Sequence, residues 1–187
     1  MKNRGFSLVE MMVSVSLFGL LGVGLLELYS GSLRFFAKTS SEVALANENS
    51  NAMRYVTSQL RPAISIQIQN NGNKIVYSLP QRTILPNPLT GERENVIPVV
   101  SDGVVRSFTV TNGRLVDDVT GKVLARNISP VDPDPQSSQY NKIYAPFQLT
   151  TIGSRKAVTV TLISARKTSQ FDKNTRMKDT VILRNGQ

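Results

Sequence analysis

The run Met11 to Leu28 contains one acidic residue and no basic one, and it follows at once on a short leader that carries Lys2 and Arg4 and ends at Gly5. About 20 predominantly apolar residues span a bilayer as a helix, and Phe6 to Leu28 supplies that length. A secretory signal peptide also starts basic, but its apolar core runs roughly 7 to 15 residues to a small-residue exit. Here the core is longer and Gly19, Gly22 and Gly24 lie inside it. An uncleaved single-pass anchor therefore fits better. Lys2 and Arg4 favour a cytoplasmic N-terminus with the remainder outside, while Arg34 and Lys38 beyond the run oppose that bias.

Glu10 does not fit a plain anchor. A carboxylate toward the middle of a bilayer costs on the order of 3 kcal/mol, and such residues are functional by default. No lysine or arginine lies within the same run. A compensating cation has to come from a chain terminus, another subunit or the membrane surface.

The sequence Gly5-Phe6-Ser7-Leu8-Val9-Glu10 resembles the processing site of type IV pilins and type II secretion pseudopilins. The resemblance implies that a prepilin peptidase cuts between Gly5 and Phe6 and methylates the new amine of Phe6. It also implies that Glu10 attracts the N-terminal amine of a neighbouring subunit during filament assembly. A buried carboxylate is tolerable when a buried ammonium neutralises it, and removing one partner leaves an uncompensated charge. The implied partners are other pilin or pseudopilin subunits, the peptidase, an inner-membrane assembly platform and membrane lipid. No cofactor is implied.

Beyond the anchor, Gly31 to Arg61 contains no proline and no further glycine. Leu45, Ala52, Val56 and Leu60 fall on one helical face, with Asn47, Ser50, Arg54, Ser58 and Arg61 opposite. Pro62 disfavours helical geometry at Arg61, which sets the expected helix end. A helix over residues 6–61 would measure about 84 Å. Many major pilins carry a proline in the apolar half; here that region has Glu27, read as solvated near the headgroups. Gly19, Gly22 and Gly24 have two readings, close helix packing in lipid or a segment able to stretch on leaving it.

Past Pro62 the period becomes two. Ile64, Ile66 and Ile68 alternate, Asn70 to Asn73 makes a turn, and Ile75, Tyr77 and Leu79 alternate again, which reads as a hairpin. Residues 80–98 hold four prolines and read as a loop. Short strands are expected over 104–110, at Leu115 and Val116, and over 123–128, with turns at Asn112-Gly113 and Thr120-Gly121. Residues 129–139 form a second proline-rich loop. Strands over 143–151, 157–164 and 177–183 complete the domain. The ending Thr180 to Asn185 resembles the last strand of many minor pilins and pseudopilins.

Of 187 residues none is cysteine or histidine, which removes thiolate catalysis, zinc-thiolate sites and the commonest general base. No catalytic or metal-binding residue is assigned. Asp117-Asp118 and the pair Asp132 and Asp134 could ligate calcium through oxygen, against the simpler reading as solvated loop aspartates. Losing Lys2 and Arg4 would lower the formal charge from +9 to +7. From Arg155 to Arg184 eight basic residues face only Asp172 and Asp179, which permits phosphate contacts. Phe171 alone is interleaved, so the stacking signature of a single-strand binder is missing, and a basic surface complementary to an acidic neighbour is the favoured reading.

The expected architecture is α+β and pilin-like. Its parts are a cleaved leader 1–5, a membrane or filament-core helix 6–28, an amphipathic extension 29–61, and a β-rich domain 62–187 outside the cytoplasm. The expected function is a minor pilin or minor pseudopilin of a type IV pilus or secretion pseudopilus, in the inner membrane before assembly and in a filament after it. The alternatives are a membrane-anchored periplasmic binding domain and a DNA-binding minor pilin of an uptake system.

Overall fold

The computed structural model of the chain describes residues 7–82, 86–93, 99–167 and 172–184. Its elements are α1 (Leu8–Leu60), β1 (Ser65–Gln69), a 3-10 turn (Asn70–Gly72), β2 (Lys74–Ser78), β3 (Arg106–Thr111), β4 (Arg114–Asp117), β5 (Lys122–Ala125), β6 (Phe147–Ile152), β7 (Arg155–Lys167) and β8 (Asp172–Ile182). The long helix and antiparallel strands give the pilin-like α+β arrangement. Contacts divide the chain into two compact units, Met1–Ser41 and Glu42–Gln187.

In the first unit every described residue is exposed except Gly22 and Ser41, which are half-buried. Its apolar residues face outward all round; Phe18 is 82% exposed and Leu20 74%. A helix apolar on every side needs lipid or other helices around it. The hydroxyls of Ser14, Ser16 and Ser30 donate to the carbonyls of Glu10, Met12 and Glu27, so these polar atoms place no demand on the surroundings.

In the second unit α1 buries Leu45, Asn49, Ala52, Met53, Val56 and Leu60. All four expected seam residues are among them. The helix ends at Leu60, one residue before the expected end, and Ala63 N–H returns to the Leu60 carbonyl. From Ala52 onward the seam packs into a core with Ile75, Tyr77, Phe108, Leu115, Phe147, Val158, Val160, Leu162, Val181 and Leu183. Tyr77 stacks on Phe108 and Tyr55 meets the same ring edge-on.

Two sheets supply those residues, one of order β1-β2-β3-β4-β5 and one of order β6-β7-β8. They are joined where the segment after β5 runs beside β7. Ser129 N–H reaches the Ile163 carbonyl at 2.8 Å and Ala165 N–H reaches Asn127 at 2.9 Å. The β1–β2 hairpin turns through Asn70, Asn71 and Gly72, all at positive φ. Asn and Gly are the residues that tolerate that region.

Strand limits differ from the sequence expectation at β5, which covers Lys122–Ala125 and not 123–128, and more widely in the last third. β6 starts at Phe147 rather than 143, because Pro146 has no N–H to offer a ladder, and Ile143 is 85% exposed. β7 and β8 run longer than expected and pair as far as Lys167 with Asp172. Backbone pairing carries polar positions such as Arg166 and Asn174 that break the alternation.

Candidate functional site

The first turn of α1 holds Glu10. Ser7 caps the helix: its Oγ accepts the Glu10 N–H at 3.3 Å, and Glu10 Oε2 accepts the Ser7 N–H at 3.0 Å. This reciprocal pair is a capping box, in which two of the four unpaired N–H groups at a helix start are satisfied. The carboxylate also faces the positive end of the helix dipole. One oxygen of Glu10 thus has a neutral hydrogen-bond partner three residues away, which leaves the charge of the carboxylate without a cation among the described residues. The spacing Ser-x-x-Glu ahead of an apolar run carries that signal in the sequence. The other oxygen, Oε1, accepts no hydrogen bond among the described residues. Gly5 and Phe6, the expected cleavage pair, lie outside the described residues.

The helix beyond Glu10 is long and apolar enough to cross a membrane, and none of its most apolar stretch is buried. A Cβ added at Gly19, Gly22 or Gly24 would meet nothing within 4 Å. These glycines are not required by contacts within their own chain.

The loop aspartates are not all solvated, and this overturns the sequence reading for two of them. Asp117 is 4% exposed and accepts the Tyr55 hydroxyl at 3.1 Å and the Thr120 hydroxyl at 2.9 Å. Asp132 is 1% exposed and accepts the Ser137 hydroxyl at 2.7 Å, the Asp134 N–H through its other oxygen, and the Arg176 guanidinium at 3.0 Å. The Ser137 bond leads the causes that hold Asp132 below the usual carboxylate range, with burial opposing and Arg176 adding to it. Asp118, more exposed, accepts the hydroxyls of Ser107 and Thr109 and pairs with Lys74 at 3.5 Å. Burial is the largest influence on Asp118 and raises it, yet the two hydroxyls and Lys74 together bring it below its ordinary value. These carboxylates tie loops to strands. Among the described residues no three acidic groups gather to hold a metal ion.

Among the described side chains, the basic residues of 155–184 do not form one patch. Arg155 and Lys156 begin β7, Arg166 lies near its far end, and Arg184 follows β8, its N–H bonded to the Arg61 carbonyl. Arg176 and Lys178 lie together in mid-β8, and a 370 Å³ cleft groups them with Lys142 and Asp132.

Residues 1–26 match the family model of the prokaryotic N-terminal methylation motif. No curated protein and no solved structure matches the chain. The motif is typical of type IV pilins and pseudopilins, which are structural proteins and not enzymes. The chain is pilin-like in this motif and in its α+β arrangement, and its N-terminal apolar helix is of the membrane-anchoring kind.

Proposed function

We propose that the chain is a minor subunit of a type IV pilus or a type II secretion pseudopilus, anchored in the inner membrane until a peptidase cuts between Gly5 and Phe6 and the subunit enters or primes a filament. The reading rests on the N-terminal motif over residues 1–26, set on a helix whose apolar surface is bare on every side. In this reading the methylated amine of a neighbour's Phe6 meets Glu10, the bare helix packs against others in the filament core, and the β domain faces outward. The capping box supports it. Ser7 and Glu10 both follow the cut, so trimming leaves the box intact while creating the ammonium that can approach the carboxylate. The minor assignment draws on the absence of cysteine and of a proline before Pro62.

Mass spectrometry of the protein extracted from membranes tests this. The expected N-terminus is N-methylated Phe6, and a chain that still begins at Met1 after co-expression with the peptidase would overturn the reading in favour of a plain tether.

A further inference from the structure

We infer that the outer edge of β8 is a strand-addition site for an extended acidic segment of a partner protein. β8 is the edge of its sheet, since the order is β6-β7-β8. The backbone groups that remain open follow from the ladder. Thr161 N–H goes to Pro146, Ile163 accepts from Ser129, and Ala165 N–H goes to Asn127, so odd-numbered residues of β7 turn away from β8. Even-numbered ones turn toward it, as the bond from Leu183 N–H to the Lys156 carbonyl shows. With Leu162 opposite Met177 and Val160 opposite Asp179, the N–H and C=O of Arg176 and Lys178 point to the free edge. Among the described residues none of these four groups has a partner. The edge N–H of Thr180 is different, because Asp179 Oδ1 accepts it at 2.8 Å. The open template is therefore short and centred on Arg176 and Lys178.

Two clefts flank this stretch, and both include Arg176 and Lys178. One, of about 390 Å³, is walled by Ser50, Arg54 and Thr57 of α1. The other, of about 370 Å³, is walled by Lys142, Tyr144 and Gln148. Side chains of an added strand alternate between faces, so successive residues would enter the two clefts in turn. The charge of the occupant follows from the cations. Arg54, Lys142 and Lys178 have no carboxylate partner among the described residues; Arg176 is held by Asp132, and Asp179 is the opposing charge on the α1 side. An acidic strand fits both clefts. A second copy does not, because pairing β8 with itself sets Arg176 and Lys178 against like charges. Nucleic acid is also the poorer fit, since the one aromatic residue at the clefts is Tyr144, whose hydroxyl is occupied by the Ile163 N–H.

The test titrates full-length protein in detergent micelles with a labelled peptide of alternating Glu and Thr, about eight residues long. A Lys-Thr peptide and a thymidine oligonucleotide serve as comparisons. Binding of the Glu-Thr peptide with slowed amide exchange at Arg176 and Lys178 is expected. Lys178→Gln removes the charge alone, whereas Lys178→Pro also removes the outward N–H without touching a bond to β7. The proline variant is expected to bind about tenfold more weakly than the glutamine variant, the scale of one well-placed hydrogen bond. Equal binding by the two variants overturns the proposal. So does unchanged exchange at Arg176 and Lys178 in the wild type, a readout that decides the matter even where the proline variant fails to fold. An oligonucleotide that binds as tightly as the Glu-Thr peptide while those amides stay open makes the surface a general polyanion site and also overturns it.

Discussion

Glutamine in place of Glu10 separates two roles that alanine removes together. Its amide oxygen can still accept the Ser7 N–H and hold the capping box, but it offers no charge to an incoming ammonium. Loss of the box costs about 1 kcal/mol locally, too little to detach a helix held by a full apolar span. Glu10→Gln and Glu10→Ala are therefore both expected to insert and be trimmed normally, and both to be depleted from sheared filaments by a similar, large factor. Wild-type recovery of the glutamine variant would show that capping alone accounts for the residue. The legibility of single residues was uneven. Leu45, Ala52, Val56 and Leu60 were readable as a seam from spacing, but Asn49 between them was not. Its Oδ1 accepts the Ser164 hydroxyl at 2.8 Å while its Nδ2 has no partner among the described residues. Spacing reports which face a residue lies on and says nothing about a hydroxyl far along the chain. The same holds for Asp117 and Asp132, whose burial depends on Tyr55 and Arg176.

Among the elements, the β1–β2 hairpin depends most on one position. Gly72 has φ +86°, and a Cβ there would sit 2.8 Å from the Phe147 carbonyl and collide with the Ala145 side chain. Gly121 has φ +68° but open space around it. Gly121→Ala is expected to cost about 1 kcal/mol, the left-handed penalty alone. Gly72→Ala is expected to cost at least about 2 kcal/mol more, since residues 145–147 have to shift. Urea unfolding of the two variants checks the difference, and equal midpoints would show that the turn yields freely. The turn itself was legible in the Asn-Asn-Gly-Asn sequence. Its packing on the residues before and at the start of β6 was not, because that contact crosses more than 70 residues of chain and leaves no local pattern. The strand ends of β7 and β8 were missed for a related reason, as main-chain pairing tolerates the polar residues that alternation excludes.

For the molecule as a whole, three carboxylates among the described residues give its acid response a direction. Asp102, chiefly through its bond to Arg106, together with Asp118 and Asp132, is held below the ordinary carboxylate value in the folded state. Their stabilising contribution is complete above the unfolded value of about 3.9 and is lost as pH falls through the lower folded values. Thermal midpoints of the full-length protein should vary little through these groups between about pH 5 and 7 and drop progressively below about pH 4. Asp132→Asn should flatten that drop while lowering the midpoint at neutral pH; an unchanged slope would remove Asp132 from the account. Class and element order were readable from the period changes at Pro62 and after it. The division into two sheets was not, since β5 and β7 meet through residues 127–129, a junction without sequence periodicity. The bond between Asn49 and Ser164 spans 115 positions. A chain translated from its N-terminus exposes the α1 seam long before β7 exists to cover it. Closure of the domain has to wait for almost the last segment to be made, so late truncation is expected to leave a tethered, open and aggregation-prone intermediate instead of a smaller folded one.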